Sequence, residues 1–274
     1  MTLSLDHVVI RVRDLEQTIA DYSALGFTVQ RGGTHADGKT HNALIGFEDG
    51  SYFELIAFLR DAPEHRWWDE GNRAGDGLVD FALLPESVQT VVDGARQRGL
   101  SYEGPIDGGR VRPDGERLVW QLGKPATPDL PFLCGDITPR YLRVAEGEVR
   151  SHANGARGIS ALKIAVRDLD TSVGRYRALL GEPLQIQQSA FPDHGVSFAS
   201  FSIGATTLTL LTPSGGTTGA ALAAQVENRL ALRGEGVFGI VLHGAENASP
   251  RLLPLDLTHG VDLELLSASN AELA

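Results

Sequence analysis

The chain repeats itself. Residues 12–25, VRDLEQTIADYSAL, and residues 166–179, VRDLDTSVGRYRAL, align without a gap. Val, Arg, Asp and Leu open both copies, and Tyr22/Tyr176, Ala24/Ala178 and Leu25/Leu179 recur at the same spacing. The register continues to Phe47 and Gly50 of GFEDG, which match Phe201 and Gly204 of SFSIG. A chain built this way folds as copies of one supersecondary unit, and the unit can be read from the first copy.

Residues 5–12, LDHVVIRV, are rich in β-branched side chains and read as a strand. Asp14 is placed to cap a helix, with Gln17 as its capping-box partner, and Gly26 stops that helix. The strand TVQRG follows, then a polar loop over 32–40. HNALIGF and SYFELIAF close the unit as a hairpin around Glu48-Asp49-Gly50. The order is strand, helix, three strands. A weaker copy has a strand at 77–84, a helix from Ser87 to about residue 98 with Gly99 as its stop, and strands at 118–123 and 129–134. A fourth, incomplete copy has strands at 236–244 and 261–267, preceded by a helical stretch near 220–232. Residues 135–157 lack a hydrophobic period. The expected architecture is therefore α+β: repeated βαβββ modules forming two open, curled mixed sheets with helices outside. Residues 1–135 form the first lobe, 136–157 a linker, and 158–274 a degenerate second lobe.

Composition narrows the function. A formal charge of −11 argues against a nucleic-acid partner, which calls for a basic footprint. No apolar run approaches a membrane span, and the opening residues carry no secretory pattern. One cysteine, Cys134, rules out an internal disulfide framework and fits a cytoplasmic setting. A homodimer is compatible with all of this.

Strand alternation then sorts side chains by face. In the first strand Leu5, His7, Val9 and Arg11 share one face, while Val8, Ile10 and Val12 form an aliphatic face suited to lie beneath the helix. His7 therefore points to the concave side. Tyr52, Glu54 and Ile56 share a face of the module's last strand. A carboxylate inside YFELIAF needs a cation, a hydrogen-bond donor or a raised pKa. His7 is a plausible neighbour, and a divalent metal would satisfy both. The repeat acts as a control: at the ungapped register His7 corresponds to Ala161, His41 to Gly195 and Glu54 to Leu208. The module therefore folds without these polar groups, which strengthens their functional reading.

LDHVVIRVRDLEQTIADYSALGF, the THN of residues 40–42 and DGSYFELIAF resemble glyoxalase-like members of the vicinal oxygen chelate superfamily. The resemblance covers residues 3–135 well and 158–266 more loosely. It implies paired modules around a divalent metal (zinc, nickel, manganese or iron) that polarises neighbouring substrate oxygens. Carried over, His7 and Glu54 match metal-ligand positions. Asp80 stands where a third ligand is expected, with His41 another candidate, and DLPFLC offers only Cys134 in place of a fourth. Glu54 is the expected catalytic carboxylate. His41, Asn42, Trp67 and Trp68 are the expected substrate contacts. The function implied is a metal-dependent isomerase, lyase or oxygenase acting on a small oxygen-rich organic molecule. The alternative is a metal-free small-molecule binding protein of the same fold.

Overall fold

The computed structural model describes residues 3–112, 114–181, 184–214, 220–246 and 250–267. The first module comprises β1 (Ser4–Arg11), α1 (Leu15–Ala24), β2 (Gln30–His35), β3 (Thr40–Gly46) and β4 (Tyr52–Phe58). Asp14 caps α1 by accepting from the Gln17 amide, while the Gln17 side chain reaches forward to Asp21 rather than back to the cap. A short helix α2 (Trp68–Ala74) leads to the second module: β5 (Gly77–Leu84), α3 (Val88–Gln97), β6 (Tyr102–Val111), β7 (Arg117–Pro125) and β8 (Phe132–Asp136).

These eight strands close into a barrel in the order β1-β4-β3-β2-β6-β7-β8-β5. The expectation of two open, curled sheets is thus overturned for this half of the chain. Closure needs two seams. The first is the antiparallel pairing of β1 with β5, from Ser4–Leu84 to Arg11–Gly77. The second joins β2 to β6 through Thr34–Val111 and His35–Arg110. Strand β6 is missing from the sequence reading because YEGPIDGGRV carries three glycines and a proline, residues that weaken a strand pattern.

The helix α4 (Arg140–Arg143) follows, then the rest of the chain: β9 (Ala156–Ala165), α5 (Leu169–Leu180), β10 (Gln187–Phe191), β11 (Val196–Ile203), β12 (Thr206–Pro213), α6 (Ala221–Leu232), β13 (Gly236–Gly244), β14 (Arg251–Leu252) and β15 (Asp262–Leu266). Their strands form a seven-stranded sheet ordered β10-β11-β12-β9-β13-β15-β14, with β10 and β14 at its edges. One apolar cluster runs through both halves, joining Val8, Ile10, Phe53 and Leu55 of the barrel to Leu162, Ile164, Leu208 and Leu210 of the sheet. The repeated tyrosines tie the halves reciprocally. Tyr22 donates to the Thr258 carbonyl and Tyr176 to the Asp129 carbonyl, and both rings are fully buried. Among the described residues no helix is long and apolar enough to cross a membrane.

Pairing also corrects the internal alignment. In the barrel, His7 lies opposite Tyr52 and Val9 opposite Glu54. In the sheet, Ala161 lies opposite Thr207 and Lys163 opposite Thr209. The counterpart of Glu54 is therefore Thr209, not Leu208, which packs in the shared core as Phe53 does. A one-residue slip exchanges the two faces of a strand, which is why the ungapped register misplaced it.

Candidate functional site

The site begins with an irregularity in β1. The β1–β5 register shifts between Leu5 and His7, and this bulge turns Leu5 into the outer core beside Val8 and Ile10. Leu5 therefore does not share the face of His7, contrary to simple alternation. Asp6, fully buried, instead meets His7 Nδ1 through Oδ2 at 2.6 Å. Burial alone would raise the Asp6 pKa, but Arg143, His7 and Arg140 hold it well below the usual carboxylate range. Since Asp6 is a carboxylate, the network assigns the Nδ1 proton to His7 and turns Nε2 toward the barrel interior. The ring is stacked on Tyr52, with centroids 4.5 Å apart, and meets the edge of Phe132.

His7 Nε2 faces Glu54 Oε2 at 3.6 Å. The other carboxylate oxygen accepts from Asn42 Nδ2 at 2.6 Å and faces His35 Nε2 at 3.4 Å. His35 is fixed in turn by Thr40 Oγ1 at its Nδ1, 2.8 Å away. Burial pushes the Glu54 pKa up, yet His35, His7 and Asn42 more than offset it and hold the carboxyl at about 2. Asp6, His7, Glu54 and His35 thus form one chain of polar groups across the barrel.

The segment read as a linker braces this chain from outside. Arg143, only 4% exposed, donates to Asp6, to Asp136 and to the Tyr52 hydroxyl, with its guanidinium over the Tyr52 ring. Arg140 pairs with the same two carboxylates and with the Gly50 carbonyl. Its sequence shows no hydrophobic period because its anchors are arginines rather than apolar residues.

Around the polar chain lies a cavity of about 460 Å³. His7, His35, Asn42 and Glu54 line it together with Ile56, Trp67, Trp120, Leu122 and Phe132. The Trp120 indole lies against Gly108, where any side chain would collide with it. His65 also lines the cavity, and its burial lowers its pKa to about 4, so its ring is neutral at neutral pH.

Of the remaining expected residues, His41, Trp67, Trp68 and Asp80, only Trp67 lines the cavity. His41 alternates with Thr40 and Asn42 and is not part of the cavity lining; its electrostatic neighbours include Glu16 and Arg31. Trp67 lines the cavity, but its indole N–H is committed to Asp80 Oδ2 at 2.9 Å. Trp68 packs edge-on against Phe58 and does not line the cavity. Asp80 is engaged on both oxygens, by Trp67 and Arg66 on Oδ2 and by the Phe81 amide on Oδ1, and burial raises its pKa. His35 is the residue that the sequence reading passed over as a loop histidine. Strand β2 runs past the expected TVQRG as far as His35, with a bulge between Arg31 and Gly33, and so brings it to the cavity.

A resident metal of the kind the family resemblance implies calls for three protein ligands and an open position. His7 and Glu54 are near enough to share an ion. Asp80 is tied up as described, and the Cys134 thiol, at the equivalent end of β8, is buried with its pKa pushed up, away from the thiolate a metal needs. Among the described residues no group of three or more His, Cys, Asp or Glu is arranged to hold an ion. Asp80 and Cys134 therefore do not complete such a centre, and the third group that converges with His7 and Glu54 is His35.

Comparison with known proteins places this geometry in context. A family profile described as a glyoxalase-like domain matches residues 5–180. A hypothetical protein from Staphylococcus aureus is similar in structure at 13% identity, covering 97% of this chain and 99% of its own, with a TM-score of 0.72. A triple mutant of 4-hydroxymandelate synthase from Streptomyces coelicolor is similar at 15% identity, covering 88% of this chain and 71% of its own, with a TM-score of 0.56. At these identities the likeness is one of fold. No curated protein matches the sequence.

Proposed function

Because the chain belongs to the glyoxalase-like domain family of the vicinal oxygen chelate superfamily, we propose that it is an enzyme that moves a proton on a small, oxygen-rich organic molecule held inside the barrel. The observation that carries this reading is the convergence of His7 Nε2 and His35 Nε2 on the two oxygens of one buried carboxylate, Glu54, beside a cavity of ligand size. A carboxyl held near 2 is a poor base at neutral pH, so Glu54 serves as the anchor that stabilises an imidazolium beside it. Of the two imidazoles, His35 is the more open, with 18% of its side chain exposed against 3% for His7. His35 takes a proton from carbon next to a substrate carbonyl and returns it, Glu54 holds the cation that forms, and Asp6 fixes His7 behind it. Charge developing on the carbonyl oxygen falls among the cationic side chains of the cavity wall. The metal-dependent form expected from the sequence would need a third ligand that neither Asp80 nor Cys134 supplies as placed here, which would fall to His35 and take it from its role as base.

Elemental analysis of the purified chain, beside His7→Ala and Glu54→Ala, tests this reading. The expected result is no stoichiometric divalent ion and a catalytic activity that survives chelator treatment. About one ion per chain, lost in both variants, would replace it with the metal-dependent reading.

A further inference from the structure

Most cations around the barrel cavity are matched by carboxylates. Lys39 meets Glu64 at 2.7 Å, Arg66 pairs with Asp80, and Arg143 is held by Asp6 and Asp136. Two are not. Arg110 and Lys124 both line the cavity, and neither forms an ion pair among the described residues. Arg110 is the more telling because it is 3% exposed. Its partners are backbone carbonyls, of Gly32 through Nη1 and of Arg143 through Nη2. Carbonyl oxygens orient a guanidinium without pairing its charge, which Glu54 offsets only from beyond ion-pair distance. Burying a cation without an anion is costly unless something supplies the anion. Of the carboxylates in the cavity wall, Glu54 already has His7, His35 and Asn42 upon it, Glu64 is paired with Lys39, and Asp37 and Asp107 form no ion pair with Arg110 or Lys124 among the described residues.

The apolar wall lies beside this charge. On β6 the inward positions run Ile106, Gly108, Arg110, and the Trp120 indole covers Gly108, one inward position from Arg110. Trp67 and Phe132 also line the cavity, with ring centroids 6.1 Å apart. Such surfaces take a flat apolar body, and a guanidinium takes a carboxylate.

Resting on the reading of the barrel as a small-molecule site, we infer that its ligand is an organic anion: a carboxylate that meets Arg110 or Lys124, attached to a flat apolar body that lies against Trp120. The chain as a whole is acidic, at −11, so these cations without ion pairs are a local feature and not a reflection of composition.

The test compares acids with their neutral amides: benzoate and phenylacetate against benzamide and phenylacetamide, titrated into the full chain. Binding is followed by the indole N–H signals of Trp67 and Trp120 in 1H–15N spectra. The expected result is saturable shifts with the acids at concentrations about tenfold lower than with the amides, the ratio one charge-assisted contact supports. Lys124→Met should weaken the acids several-fold and leave the amides unchanged. Arg110→Met should do the same more strongly, and because it is buried the acid–amide comparison on the unaltered chain stands without it. Equal binding of acids and amides overturns the anion inference while keeping the barrel as a ligand site. No shift with any of the four compounds removes both.

Discussion

The barrel and the seven-stranded sheet are built from the same module, and they differ most on one face. Their outer faces are interchangeable in kind: Phe53 and Leu208, Val8 and Leu162, Tyr22 and Tyr176 all lie in one continuous core. Their inner faces have diverged. Where the barrel has His7 and Glu54, the sheet has Ala161 and Thr209. Where the barrel keeps a cavity, the sheet lays α6 over Ala165, Phe198 and Leu211. One half of each strand's residues makes the fold, and the other half is free to carry chemistry or to be filled in.

Ion pairs give the largest expected contrast. Arg143→Met leaves Asp6 and Asp136 without their buried partner and should cost about 3–5 kcal/mol in urea unfolding. Lys163→Met removes a half-open pair with Asp262 on the sheet and should cost no more than about 1 kcal/mol. Equal costs would mean that the inner faces are not energetically distinct. On the outer faces the halves should instead agree. Phe53→Ala and Leu208→Ala each open a cavity in the shared core, and each should lose about 3–4 kcal/mol. A variant that loses little would show that its half does not contribute to the common core.

Acid should act on the barrel more than on the sheet. The Glu54 carboxyl is held at about 2 against an ordinary 4.5, so its contribution is fully present above about 4.5 and is lost as the pH falls toward 2. The difference corresponds to about 3 kcal/mol. His65, lowered to about 4, acts in the same direction: the unfolded chain takes its proton first as the pH falls below about 6.5. Stability measured against pH should therefore fall less steeply below pH 4.5 in Glu54→Gln than in the wild type. Parallel curves would show that Glu54 is not held by His35, His7 and Asn42. The smallest effect belongs to the tyrosine pair. Tyr22→Phe and Tyr176→Phe each delete one buried hydrogen bond between the halves, at about 1 kcal/mol apiece.

Much of this was legible in the chain because the strongest signals are local. The capped helices at Asp14 and Ser87, the turn at Glu48-Asp49-Gly50 and the inward placement of His7 and Glu54 follow from capping, turn chemistry and alternation. What was not legible depends on pairing across the chain. The glycine-rich strand β6 hid the barrel seam. The bulge at Asp6 reversed Leu5 and supplied the partner of His7, which a strict period of two cannot foresee. His35 was masked by its polar, glycine-containing surroundings. Arg110, Arg140 and Arg143 look like surface charge until β6 and the segment after β8 bring them against the barrel. The same pairing shows Asp80 serving Arg66 and Trp67, a commitment that nothing in GLVDFALL announces.

The central claim is that the chemistry sits in the barrel and that the sheet is its inert counterpart. Exchange of the hydrogens next to the carbonyl of small 2-oxo acids in D2O, followed by 1H NMR, tests it most directly. Wild type is measured beside His35→Ala, Glu54→Gln and, on the matching strand of the sheet, Thr209→Ala. The account predicts catalysed exchange in wild type, its loss in the two barrel variants and its survival in Thr209→Ala. No catalysed exchange in wild type, or a loss in Thr209→Ala equal to that in Glu54→Gln, would contradict it.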